Sequence, residues 1–220
     1  MELFEARLTL PTAWGDAPLL AYYHPNGLKR AVLVYHGLSA CKEVQEKELR
    51  SLAAAGFLAV GVDACGHGER KEDGLHFLEM VARSIDEVPA LVDGLAERFA
   101  VASFGLTGIS MGGYVAFAAP LVEPRLRAVV PILGSPRWGE GPRAGRSPHL
   151  HRDGYPGVAL LAMNAGRDVN VPPHAAREFV HGLARPRAEY LEFPESEHFM
   201  REEDWNDLWT RTVRWFDAHL

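Results

Sequence analysis

Two uninterrupted apolar runs, residues 31–35 (AVLVY) and 58–62 (LAVGV), constrain the fold of this 220-residue chain more than any other feature. A strand with one wet face alternates apolar and polar residues, whereas a strand that is apolar throughout must be covered on both faces. Inner strands of a parallel sheet meet that condition, because the helices that connect them pack on either side. Residues 42–55 lie between the two runs and read as a helix, so the segment forms one βαβ unit.

The same alternation continues along the chain. A helical pattern covers 75–99, with Pro89 expected to kink or interrupt it. Strand 104–107, a helix from Met111, strands 126–133 and 158–163, helix 172–183, strand 188–193 and helix 202–219 follow. Residues 5–10 and 19–24 have strand-like patterning and are separated by the turn formers Pro11, Gly15, Asp16 and Pro18, which predicts a hairpin. The expected fold is α/β, with a mostly parallel sheet of about eight strands, an N-terminal antiparallel hairpin and helices on both faces. Residues 1–220 are expected to form one domain. Only 136–157, rich in Gly, Pro, Arg and His, lacks periodicity, and it reads as a short lid-like insertion, a loop or short helix over a pocket.

Charge narrows the partners. A formal net charge of −6 would repel a nucleic acid or an anionic membrane, so neither is expected as a partner. There is no apolar run of membrane-spanning length, and the acidic first residues lack the basic start of a signal peptide. A cytoplasmic location is expected, in which Cys41 and Cys65 remain free thiols. Oligomeric state leaves no signal in the sequence.

Chemistry concentrates at the ends of the predicted strands. Gly108-Ile109-Ser110-Met111-Gly112 falls between a strand and a helix. A sharp turn there forces the serine into strained backbone angles and projects its hydroxyl, while the flanking glycines admit neighbouring chain without Cβ clashes. A serine hydroxyl is a poor nucleophile until an imidazole accepts its proton. His198 follows the last strand and Asp168 the strand before it, so the order Ser110, Asp168, His198 brings nucleophile, orienting acid and general base to the C-terminal edge of a parallel sheet. The backbone N–H groups of Leu38 and Met111 are the expected oxyanion donors. His36 is read as structural, holding the loop that carries Leu38.

His36-Gly37, Asp63-Ala64-Cys65-Gly66-His67-Gly68, Gly108-Ile109-Ser110-Met111-Gly112-Gly113, Gly166-Arg167-Asp168 and Glu197-His198 occur in the order seen in α/β-hydrolases and span most of the chain. The chain resembles small, nearly capless esterases, similar to the dienelactone-hydrolase-like and bacterial carboxylesterase branches. That resemblance implies hydrolysis of small or short-chain carboxylic esters through an acyl-enzyme, with a small-molecule ester as partner and no metal or organic cofactor. Dienelactone hydrolases carry cysteine at the nucleophile position, where this chain has Ser110, so their particular substrate does not transfer. The same three residues also support thioester or peptide hydrolysis, acyl transfer or perhydrolysis, and a non-catalytic receptor can retain the shell.

Four further readings bear on the site. Asp63 with Gly66 and Gly68 resembles a family loop that organises a turn, with His67 and Glu69 expected at the pocket rim. Cys41 and Cys65, on loops after neighbouring strands, are expected near one another, with neither as nucleophile. Arg137, Arg143, Arg146 and Arg152 outnumber the single acid Glu140 in the insertion, which suggests either attraction for a carboxylate-bearing ester or a solvated, mobile loop. Trp205, Trp209 and Phe216 recur at helical spacing and are expected to pack the last helix on the sheet.

Overall fold

In the computed structural model, which describes residues 2–25, 28–141 and 143–220, the two apolar runs become adjacent parallel strands, β3 (Arg30–Tyr35) and β4 (Leu58–Val62). They lie in an eight-stranded sheet with β1 (Phe4–Thr12), β2 (Gly15–Tyr23), β5 (Ser103–Ile109), β6 (Leu126–Ile132), β7 (Ala159–Ala165) and β8 (Ala188–Phe193), in the order β1-β2-β4-β3-β5-β6-β7-β8. The hairpin strand β2 pairs antiparallel with both β1 and β4, and every other pairing is parallel.

Alternate residues of one strand feed two cores. Ala31, Leu33 and Tyr35 of β3 face the core built with α2 (Phe77–Phe99), α3 (Met111–Ala118) and α4 (His174–Leu183). Val32 and Val34 face the opposite core, built with α1 (Glu46–Ala54) and α5 (Glu202–His219). Each fully buried Val or Leu contributes roughly 1.5–3 kcal/mol relative to exposure, which is why a run such as AVLVY has no stable position at a wet edge. No helix among the described residues is long and apolar enough to cross a membrane.

Two local expectations need correction. Pro89 sits inside α2 without interrupting it. Its missing N–H removes one backbone bond, but Val81, Ile85, Val88, Leu91, Val92 and Leu95 are all buried along the same helix and their packing outweighs that loss. The helix expected over 42–55 divides into a 3₁₀ turn, Lys42–Gln45, and α1. Asp63 accounts for the break, since its carboxylate accepts from the Lys42 amide at 2.9 Å and from Lys42 Nζ at 2.8 Å and so fixes the start of the turn. The aperiodic insertion, by contrast, takes up short helical structure. It contains two short 3₁₀ stretches, Ala144–Arg146 and Pro148–Gly154, and it is anchored by buried Trp138 and by Tyr155, whose hydroxyl donates to the Phe117 carbonyl at 2.7 Å. Pro142, within that insertion, lies outside the described residues.

Candidate active site

Ser110 occupies the turn between β5 and α3 with φ 54° and ψ −110°, a conformation that L-residues rarely adopt. Close packing holds it there. A Cβ built on Gly108 would stand 2.2 Å from the Gly112 carbonyl oxygen, and one on Gly112 would stand 2.3 Å from that of Tyr35. Only glycine lets strand, turn and helix approach so closely. The Ser110 amide donates to Ile132 O at 2.8 Å and the Gly112 amide to His36 O at 3.2 Å, which ties the turn to both neighbouring strands.

The three residues separated along the chain meet here. His198 Nδ1 donates to Asp168 Oδ2 at 2.7 Å, and the Ser110 hydroxyl donates to His198 Nε2 at 3.0 Å. A carboxylate can only accept, so the proton belongs on Nδ1 and Nε2 is left as the acceptor. The Asp168 carboxylate is itself fixed, because Oδ1 accepts from the amides of Asn170 at 2.9 Å and Val171 at 2.8 Å. Such an arrangement can withdraw the hydroxyl proton as the oxygen attacks an electrophilic carbon.

Leu38 stands beside this centre on the loop after β3, next to Gly37, whose built Cβ would contact Ser110 Cβ at 3.7 Å. Met111 follows Ser110 and opens α3. Neither the Leu38 nor the Met111 amide donates to a protein acceptor among the described residues, so both retain a hydrogen bond for a substrate oxygen.

His36 is buried and cross-links this loop. Its Nδ1 donates to Gly37 O at 2.7 Å and its Nε2 accepts from the Ala64 amide at 3.1 Å. Burial lowers its pKa to about 4, so the ring is neutral and Asp63, 3.9 Å away, is a neighbour rather than an ion-pair partner. The turn after β4 also behaves structurally. Gly68 has φ 56°, and a Cβ there would overlap the Asp63 carboxyl group at 2.1 Å. The rim expectation for His67 and Glu69 fails: His67 is buried with its ring 5.2 Å from that of His36, and Glu69 is drawn to Lys42 Nζ at 2.5 Å. The cysteines are both free, and burial pushes the Cys65 thiol up to about 12, which leaves it protonated and inert.

A cavity of about 690 Å³ opens at Ser110 and His198, with Leu38, Ile109, Leu133, Val171, Phe199 and Trp205 among its apolar walls. Trp205 packs against the core built with α1 and α5, as expected, and does more besides. Trp209 and Phe216 are buried in the core as expected, whereas Trp205 is only partly buried, lines the cavity and donates from Nε1 to Glu48 Oε1 at 2.9 Å. Gln45, Phe77, Tyr114 and Asn170 also border the cavity, and no motif or spacing marks them in the sequence. The basic insertion does not border it among the described residues. Arg143 donates to Glu79 at 2.7 and 2.9 Å, Arg146 donates to Asp86 at 2.6 Å, and both acids lie on α2. These two guanidinium groups already have partners on α2, which leaves the carboxylate-attracting reading of the insertion without support from them. Among the described residues no group of three or more His, Cys, Asp or Glu side chains is set to hold a metal ion.

A family model described as serine aminopeptidase, S33, matches residues 27–152, a stretch that contains Ser110. A candidate esterase of Bacillus subtilis (strain 168), YitV, is 32% identical over 117 residues, which are 50% of this chain and 46% of that relative, so the match spans about half of each protein. Among solved structures, a candidate dienelactone hydrolase from Klebsiella pneumoniae superposes with a TM-score of 0.86 at 19% identity, with both chains covered completely. TT1662 from Thermus thermophilus gives 0.79 at 24% identity, again over the whole of both chains. At such identities the two superpositions establish a shared fold.

Proposed function

This chain belongs to the serine aminopeptidase, S33, family and has the α/β-hydrolase fold, and on that premise we propose that it hydrolyses small, short-chain carboxylic esters through an acyl-enzyme. The observation that carries the reading is the continuous chain from Ser110 Oγ through His198 to Asp168, at 3.0 and 2.7 Å. Ser110 attacks the ester carbonyl as His198 Nε2 takes its proton, and Asp168 stabilises the imidazolium that forms. The amides of Leu38 and Met111 hold the tetrahedral oxyanion. His198 then returns the proton to the departing alkoxide, and water releases the acid by the same route in reverse. A reducing, aqueous compartment such as the cytoplasm suits the two free thiols.

Peptide hydrolysis is the rival that the family description raises. An aminopeptidase must recognise an α-ammonium group, which calls for a carboxylate near the reacting centre. Among the described residues that line the cavity there is no Asp or Glu, and this favours neutral esters. The test is kcat/KM over p-nitrophenyl esters from acetate to palmitate, set against aminoacyl p-nitroanilides. A short-chain ester optimum with at least about a hundredfold margin over the anilides is expected; faster anilide cleavage would replace this reading with the peptidase one.

A further inference from the structure

Gln45 is a buried polar side chain in the cavity wall whose Oε1 finds no use among the described residues. It closes the 3₁₀ turn Lys42–Gln45 and is buried at 7% exposure, and it borders the cavity beside Ala40 and Trp205. Its side chain does not cap α1, although it occupies the capping position. Its Oε1 is buried without a hydrogen-bond partner among the described residues. Two other polar groups on the same wall are accounted for. Trp205 Nε1 is taken by Glu48, and Asn170 is exposed to solvent.

Leucine or methionine would fill this position without burying an amide that has nothing to bond, so a packing role does not explain the residue. The placement is also rigid. Lys42, three residues earlier, is locked by Asp63 through both its amide and its ammonium group. A fixed side chain whose carbonyl oxygen lacks a partner, in a largely apolar wall, is a usual means by which a pocket reads one polar group on its ligand.

Building on the ester-hydrolase reading, we propose that Gln45 is a specificity residue that selects esters carrying a hydroxyl group on the arm packed between residues 38–45 and Trp205. A substrate hydroxyl can donate to Oε1 and so supply the bond that the described residues leave unmade. A plain alkyl arm leaves Gln45 unpaired in the complex and is discriminated against.

Two matched pairs of substrates test this. p-Nitrophenyl 3-hydroxybutyrate against p-nitrophenyl butyrate places the hydroxyl on the acyl arm. 2-Hydroxyethyl butyrate against ethyl butyrate places it on the alcohol arm. The wild-type protein is expected to prefer the hydroxylated member by about tenfold in kcat/KM in one of the two pairs, which identifies the arm. Gln45→Leu is expected to bring that ratio close to one, and Gln45→Met, nearer in length, guards against a folding defect. Stoichiometric fluorophosphonate labelling of each variant verifies an intact Ser110 centre. Wild-type turnover with no preference in either pair, or a preference retained in both variants, overturns the assignment while the ester reading stands. No turnover of any of the four esters overturns both.

Discussion

Burial fixes the protonation of His36, and that has a measurable consequence for stability. Its folded pKa lies near 4, below the usual histidine value of 6.5. In the unfolded chain the ring takes up a proton as pH falls through about 6.5, whereas in the folded protein it stays neutral until about 4. Stability contributed by the neutral ring is therefore present above pH 6.5 and lost progressively as pH drops toward 4. Between pH 6.5 and 5 the loss amounts to about 1.5 kcal/mol. Urea unfolding at the two pH values should show the His36→Gln variant losing less by about that amount, and an identical pH dependence in both proteins would contradict the protonation assigned to His36. At this scale the sequence was informative where residue type and chemistry coincide. His36 as a structural ring and Ser110, His198 and Asp168 as a meeting set were legible from strand ends alone. Gln45 and Trp205 were not, because a glutamine in a short turn and a tryptophan at helical spacing look the same whether they face a core, a cavity or water.

The elements form for reasons visible in their patterning, and their junctions depend on contacts that patterning does not contain. AVLVY and LAVGV had to be doubly covered strands, and they are. The break between the 3₁₀ turn and α1 depends on Asp63, eighteen residues beyond Gln45, and no local rule could place it. Proline in α2 illustrates the reverse case, in which a strong local signal yields to a long buried face. The β5–α3 junction is the tightest of these contacts. Because a Cβ on Gly112 would stand 2.3 Å from a backbone oxygen of β3, Gly112→Ala must push α3 away from the sheet. Thermal denaturation should report a loss of more than about 2 kcal/mol, accompanied by loss of the proposed esterase activity as Ser110 moves. A variant as stable and active as the wild type would show that the close approach is not required.

Across the whole molecule, function follows from sheet order. Strands β3, β5, β7 and β8 run in one direction, so the loops after them open at one edge and bring Leu38, Ser110, Asp168 and His198 together from across the chain. The basic insertion is elsewhere, with Arg143 and Arg146 paired to α2, and its local charge excess in the sequence is reduced once Glu79 and Asp86 are adjacent. Pocket walls are the least legible feature for the same reason: Gln45, Phe77, Leu133, Val171 and Trp205 come from five separate segments and converge only in three dimensions. A fold kept at a TM-score of 0.86 with 19% identity makes the same point, since the strand framework persists while most side chains differ. The central claim is that this edge assembles one activated serine, and covalent labelling with a fluorophosphonate followed by peptide mass mapping tests it most directly. A single adduct on Ser110 in the wild type is expected, with none in Ser110→Ala and slow labelling in His198→Ala; an unlabelled wild type, or labelling that persists in Ser110→Ala, would contradict it.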